Sequence, residues 1–463
     1  MRDLEGRYVN CCSLRYGLSF FIHFCNIAIA AQRVCLSLTM VVMVNTTYSH
    51  ELHNSSTNEL LTNVKNPVYD WSPETQGLIL SSIFYGAAII QLPSGYLSGI
   101  YSIKKIVGCG LFLSSLCSLL IPLAAAFGKT SVIVCRVVQG IAQGMASTGQ
   151  HEIWTKWAPP RERGRLTSIC LSGFLLGSFI VLLVTGFICE SLGWPIVFYI
   201  FSAYGGVLCL LWFVLVYDDP KDHPCISISE KQYITSSLVQ QFSSSQQSLP
   251  IKSMLKSLPI WAISFATFGY FWSNTILFLY IPMYINSILH VNIKENGLLS
   301  ALPFLFAWIC GILSGQMADF FSSRSILSTT NIRKLFTTLG LLLPVLFSMC
   351  LLYLSSSYFS TVIFLILASA TGAFSLPGMM INALDIAPRY YGFLKGVTIL
   401  VGMIGGLISS TLTGIIINQD PESPWFEVFF LMTAVCLACL IFYLIFGEGE
   451  IQEWAKERKH TRL

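Results

Sequence analysis

SVIVCRVVQGIAQGMASTGQHEIW, residues 131–154, reads as a membrane span with a charge inside it. Arg136, Gln139, Gln143, Ser147 and Gln150 follow one another at helical spacing, which sets their side chains on one face. A charged group at the centre of a bilayer costs about 2.5 kcal/mol or more, and normally faces a watery cavity or a partner. The stretch therefore predicts a helix whose polar face lines the path of an anion.

The rest of the chain is built to hold such a helix. Of 463 residues, 54% are hydrophobic and 11% charged, with a mean hydropathy of +0.67. Soluble domains carry about 25% charged residues, so the chain is read as an integral membrane protein. Its apolar runs reach the roughly 20 residues that a spanning helix needs, and lack the alternating segments of about 10 residues that a barrel shows. Twelve spans are expected, at 18–44, 76–100, 106–127, 131–154, 167–189, 194–216, 258–285, 298–318, 335–354, 359–383, 396–418 and 425–446. Most of the 15 cysteines fall inside these runs and read as small apolar residues. Cys436 and Cys439 form a CxxC within the last span, with no second pair to make a metal site. No cleavable signal is expected, because the first apolar run is long enough to span.

Lys and Arg set the orientation. All but five of the 27 fall on the side that carries both termini. The exceptions are Lys65, Lys129 and Lys294 on the other side, and Arg33 and Arg136 within spans. Both termini are thus expected in the cytoplasm. Two glycosylation sequons, at Asn45 and Asn54, fall in the loop after span 1, which the charge count already places outside. The expected organisation is a six-helix half (1–216), a cytoplasmic linker (217–257), a second six-helix half (258–446) and a cytoplasmic tail (447–463). Within the linker, SISEKQY (227–233) predicts a short surface helix.

A repeat supports the division. Gly95-Tyr-Leu-Ser-Gly99 with Lys104 and Lys105 in the first half corresponds to Gly315-Gln-Met-Ala-Asp319 with Arg324 in the second. WAPPRERGR (157–165) likewise corresponds to DIAPRYYG (385–392). Duplicated halves are the layout of carriers whose substrate site lies between them at mid-membrane.

These elements resemble the major facilitator superfamily. The combination of RVVQG (136–140), KWAPPRERGRL (156–166), LDIAPRYYG (384–392) and DWSPETQG (70–77) is similar to solute carrier family 17, the anion–cation symporters. The resemblance spans essentially the whole chain. It implies an all-α polytopic protein with the major facilitator fold, twelve transmembrane helices, and secondary transport of anions. The implied cargo is inorganic phosphate and organic anions such as urate, voltage-driven or Na⁺-coupled. It also implies that spans 1, 4, 7 and 10 line a central cavity. Three positions depart from the glutamate- and sialic-acid-carrying members: Gln143 replaces a glutamate implicated in proton coupling, Leu80 a histidine, and Tyr270 an arginine. Arg33 and Arg136 are retained. The chain thus keeps the anion-attracting groups and lacks the proton-titrating ones.

The expected substrate-binding residues are Arg33, Arg136 and Gln143, with Tyr270 and Asn274 from span 7, whose helix is expected to break at Pro282. A guanidinium stays charged and its planar fork matches carboxylate or phosphate oxygens in pairs. Asp319, Arg163, Arg165, Asp385 and Arg389 are expected to latch helix ends in one carrier state. The glycine stripes are read as helix packing. No catalytic residue, metal site or organic cofactor is expected; Na⁺ is a candidate coupling ion and Cl⁻ a candidate modulator. The expected partners are small anions, the lipid bilayer, and a PDZ-domain scaffold. The scaffold would recognise the terminal Thr461-Arg-Leu463 by strand addition and carboxylate capture. Nucleic acid is not an expected partner. The expected location is the plasma membrane, at its apical face if the PDZ motif acts. Alternative readings are an anion channel, or a proton-coupled carrier of acidic sugars or amino acids.

Overall fold

A computed structural model of the chain describes residues 13–44, 68–159, 162–242, 250–354, 357–419 and 424–455. The regular structure among them is helical, apart from one bridge between Val44 and Tyr69. In chain order the first six helices are α1 (Leu14–Met43), α2 (Pro73–Ile100), α3 (Ile103–Phe127), α4 (Lys129–Trp157), α5 (Arg163–Ser191) and α6 (Trp194–Leu215). Two helices follow before the next span, α7 (Ile228–Phe242) and α8 (Ile251–Lys256). The remainder are α9 (Leu258–Asn274), α10 (Ile281–Leu289), α11 (Ile293–Ser323), α12 (Thr329–Leu354), α13 (Tyr358–Thr371), α14 (Ile381–Ile386), α15 (Tyr391–Gln419) and α16 (Pro424–Phe446).

Each expected span falls on a helix or on a broken pair of helices. Ten of the described helical stretches are long and apolar enough to cross a membrane. The other two, α2 and α4, are 28 and 29 residues long, and α4 owes its low hydropathy to the polar face quoted above. The connections are short because the sequence places turn formers at them. Gly128 (φ 115°) joins α3 to α4 and Gly193 (φ 89°) joins α5 to α6, in a backbone region that residues with a Cβ avoid. Ser102 and Asn292 cap α3 and α11 by accepting from Lys105 N and Glu295 N. The basic loops share one side of the bundle, here called the basic side; the far side is the opposite one.

Span 7 breaks earlier than expected. α9 ends at Asn274, a π-turn covers Thr275–Leu279, and Pro282 stands in the first turn of α10. Proline is tolerated there because that position has no intrahelical donor to lose. The Pro282 carbonyl accepts from Asn296 Nδ2 at 2.8 Å. Span 10 breaks similarly, through a 3₁₀ turn at Gly372–Phe374 and a π-turn at Leu376–Met380. π-turns cluster at functional positions, and both breaks lie in spans that the family resemblance assigns to the cavity wall.

Small residues bring the helices close. A Cβ on Gly86 would strike the Val137 carbonyl, and one on Gly140 the Ile83 carbonyl, which locks α2 to α4. On the far side, helices early in the chain meet late ones. A Cβ on Gly77 of α2 would lie 2.8 Å from Gly414 Cα of α15, and one on Gly186 of α5 would lie 3.1 Å from Gly297 Cα of α11. Glu190 and Lys294 pair across the same seam at 3.8 Å. A small cavity of about 40 Å³ remains between Ser37, Gln76, Leu80, Leu279 and Met283. The far side is therefore sealed by backbone-to-backbone packing.

The linker helix is clamped. Arg15, buried at the start of α1, pairs with Glu162 at 2.7 Å and Glu230 of α7 at 3.3 Å. Glu230 also accepts from the backbone N–H groups of Leu14 and Arg15, so one carboxylate both caps α1 and docks α7. That favours α1, whose exposed N–H groups carry partial positive charge. The helix expected at residues 227–233 is present, and extends to Phe242.

Candidate functional site

The site begins with an unusual pair of neighbours, Gln32 and Arg33, in the middle of α1. Polar groups removed from water must find partners, and α3, α4 and α6 supply them. Ser114 Oγ donates to Gln32 Oε1 at 2.6 Å, while Gln32 Nε2 donates to Ser115 Oγ at 3.0 Å and to the Phe201 carbonyl at 3.2 Å. Gly205 makes room for this: a Cβ there would collide with both Gln32 Nε2 and Ser115 Oγ.

Arg136 lies beneath this cluster with no solvent exposure. It donates to the Gln32 carbonyl at 3.1 Å, to Gln139 Oε1 at 2.8 Å and to the Arg33 carbonyl at 3.2 Å. Two of those acceptors are backbone carbonyls of α1, so the arginine ties α4 to α1 at the turn that carries Arg33. Its Nε is buried without a partner.

Arg33 differs. It is half-buried, and its Nε donates to Gln143 Oε1 at 3.0 Å. Gln143 is fixed in turn by donation to Ser114 Oγ at 3.2 Å and to the Ile29 carbonyl at 3.4 Å. The terminal nitrogens of Arg33 make no described hydrogen bond, and the ion pairs among the described residues involve Arg15, Lys294 and Arg333. A guanidinium is thus aimed by one amide and left with a free two-nitrogen fork. The fork suits a planar oxyanion, and no described carboxylate neutralises it.

The structure brings Arg33, Arg136 and Gln143 into one network. Tyr270 and Asn274 form a second pair, one helical turn apart on α9. Both are half-buried at the end of α9, and the Asn274 Oδ1 lies 3.6 Å from where a Cβ on Gly372 would be. They therefore sit where the breaks of spans 7 and 10 meet. Tyr284, further along the same span, is core: its ring packs edge-on against Trp425 at 5.0 Å. Asn26 ties α1 to α5 through the Cys170 carbonyl at 2.9 Å. Gln32, Ser114 and Ser115 were not singled out by sequence reasoning. The one legible signal was a glutamine beside an arginine within an apolar run.

Of the latch residues, Asp385 pairs with Arg333 at 2.6 Å, and the same guanidinium donates to the Pro377 carbonyl within the span-10 break. Asp319 is exposed, and none of the ion pairs described includes it. Arg165 is exposed and lies over the Tyr16 ring at 5.6 Å. The side chains of Arg163 and Arg389, the sequons at Asn45 and Asn54, and Thr461 and Leu463 lie outside what is described. The CxxC is packing: Cys436 and Cys439 sit against Gly269.

A family model for the Major Facilitator Superfamily matches residues 22–348 and 264–462. Sodium-dependent phosphate transport protein 1 of Homo sapiens is 68% identical over 98% of this chain and 97% of its own length. The protein of that name from Oryctolagus cuniculus is 67% identical over the same shares. This chain belongs to the major facilitator superfamily, in solute carrier family 17. It is a multi-pass membrane transporter, not an enzyme. A probable small intestine urate exporter of Homo sapiens is 49% identical, covering 98% of this chain and 94% of that one. Among solved structures, the partially occluded inward open conformation of the xylose transporter XylE from E. coli superposes with a TM-score of 0.67. It covers 94% of this chain and 99% of that one at 16% identity, a likeness of fold alone.

Proposed function

We propose that this protein is a secondary carrier of small organic and inorganic anions, urate and phosphate among them. In this reading Arg33 makes the direct anion contact and Arg136 holds it in place. The observation that carries the proposal is the Arg33 fork: aimed by Gln143, free at both terminal nitrogens, and unneutralised by any described carboxylate. The names of the relatives, sodium-dependent phosphate transport proteins and a probable urate exporter, support the substrate class. Tyr270 and Asn274 form the facing wall, where an aromatic ring and an amide suit a flat heterocyclic anion.

The basic side is cytoplasmic in this proposal, both termini with it, and the membrane is the plasma membrane. The sealed far side then makes the described state inward-facing, with the two six-helix halves (1–216 and 258–446) rocking about the site. The Asp385–Arg333 pair holds the basic-side end of span 10, and Asp319, Arg163, Arg165 and Arg389 become latch partners in the opposite state. Asn45 and Asn54 carry glycans on the outside, and Thr461 and Leu463 engage a PDZ scaffold.

With Gln143 in place of a carboxylate, the network has no proton to exchange, so net charge moves with each anion. A membrane potential is worth about 2.3 kcal/mol per charge per 100 mV. About 70 mV then supports roughly a fifteenfold gradient of a monovalent anion, directed outward in an inside-negative cell. Uptake of labelled urate and phosphate into proteoliposomes, with Na⁺, Cl⁻ and voltage set independently, tests this. Saturable flux with trans-stimulation is expected; its absence identifies a channel. Na⁺-coupled phosphate uptake is the second reading, favoured by the names of the relatives.

A further inference from the structure

The hydrogen bonds around Gln32 have a direction, and the aim of Arg33 depends on it. Gln32, Ser114, Ser115 and Gln143 are all buried, so the protein alone decides which atom donates. An amide can be flipped end for end and a hydroxyl can rotate; each is fixed only by what its neighbours can give or take. The order starts at two backbone carbonyls, which only accept. Ser115 Oγ donates to the Leu111 carbonyl at 2.8 Å, which commits its single proton. It can then only accept from Gln32, as the Phe201 carbonyl also does. Both contacts require the Nε2 end of Gln32, which leaves Oε1 facing Ser114.

The order passes on from there. Ser114 Oγ must donate to Gln32 Oε1, the contact at 2.6 Å, and has only lone pairs left for α4. Gln143 therefore meets it with Nε2, at 3.2 Å, and the longer contact to the Ile29 carbonyl at 3.4 Å requires the same end. Gln143 Oε1 is left to accept from Arg33 Nε at 3.0 Å. A reversed Gln143 amide would set its NH₂ group against the Arg33 N–H and release the guanidinium. We propose that Ser114 is a positioning residue for anion transport. Its hydroxyl relays the donor–acceptor order of α3 and α6 through Gln143, and so aims the Arg33 fork. The inference rests on Arg33 as the anion contact; Ser114 acts through Gln143 and does not itself meet the anion.

Initial urate uptake against concentration in proteoliposomes, normalised to reconstituted protein, tests this. Ser114→Ala should raise KM about 2- to 12-fold, the worth of one neutral hydrogen bond, at an unchanged maximal rate. Ser118→Ala, one turn further along α3, removes a buried hydroxyl that has no described partner and should leave KM as it is. In an Arg33→Gln background Ser114→Ala should add nothing, because the group it aims is gone. Should Ser114→Ala fold poorly, Ser114→Cys keeps the packing with only a weak donor, and its KM should rise too. A native KM in Ser114→Ala or Ser114→Cys, beside a raised one in Arg33→Gln, would overturn the relay alone, as would an equal rise on both backgrounds. A native KM in Arg33→Gln would overturn the Arg33 contact itself, and the relay with it.

Discussion

Arg33→Gln separates the two arginines most cleanly. The substitution removes a guanidinium whose terminal nitrogens have no protein partner, and keeps an amide of similar reach. If those nitrogens bind the anion, the loss is one charge-assisted hydrogen bond or more, at about 1.5–3 kcal/mol each. That corresponds to a rise in KM of roughly 10- to 150-fold, with little change in folding because Arg33 gives the protein a single side-chain bond. Arg136→Gln should behave oppositely. It deletes three hydrogen bonds of 2.8–3.2 Å, two of which tie α4 to α1, at a cost of several kcal/mol in a fold of marginal stability. Yield of monodisperse protein should collapse, and whatever folds should keep a near-native KM. The assay is initial urate uptake against concentration in proteoliposomes, normalised to reconstituted protein. A normal KM in Arg33→Gln beside a raised KM in well-folded Arg136→Gln would refute the division of roles.

Gln143→Glu places a carboxylate where the amide oxygen accepts from Arg33 at 3.0 Å. At an effective dielectric of about 20, the pair attraction is about 4 kcal/mol, so the variant should lose anion affinity at neutral pH. Protonation of the new carboxylate removes the competitor, so uptake should recover as pH falls, whereas the parent should not respond; flux measured from pH 5 to 8 checks the sign. Gly77→Ala and Gly297→Ala introduce a Cβ at 2.8 and 2.9 Å from a facing Cα. Each should keep the far side from closing, lowering maximal flux several-fold at unchanged KM and raising thiol labelling of a cysteine placed at Ser37. Arg15→Ala removes the cation between Glu162 and Glu230, and breaking such a buried pair costs about 3–5 kcal/mol. Limited proteolysis within residues 228–242 should then become rapid.

The span pattern was legible because apolar length is a one-dimensional property, and each predicted span meets a helix. The polar face of α4 was legible for the same reason, since 3.6-residue periodicity needs no partner. Its meaning was not. Arg136, Gln139 and Gln143 share a face, but periodicity does not tell that α1 turns its Gln32 and Arg33 carbonyls towards Arg136. The buried arginine is therefore spent on carbonyls in the middle of α1, and the anion contact falls to its neighbour. Pro282 marked a break in span 7 but misplaced it, because proline starts a helix as readily as it ends one. Asp385 was expected to latch a helix end, and only the packing of α12 against the π-turn of span 10 makes its partner Arg333. Glu230 gave no sequence signal of docking at all, since its two N–H donors lie more than 200 residues away.

The central claim is that the site carries fixed positive charge and no titrating carboxylate. Its most direct test is urate flux into proteoliposomes lacking Na⁺, with voltage clamped by a K⁺ gradient and valinomycin, at pH 6 and pH 8. Flux that follows voltage equally at both pH values is the predicted result. Flux that ignores voltage, or that requires Na⁺ or a proton gradient at every voltage, would contradict it.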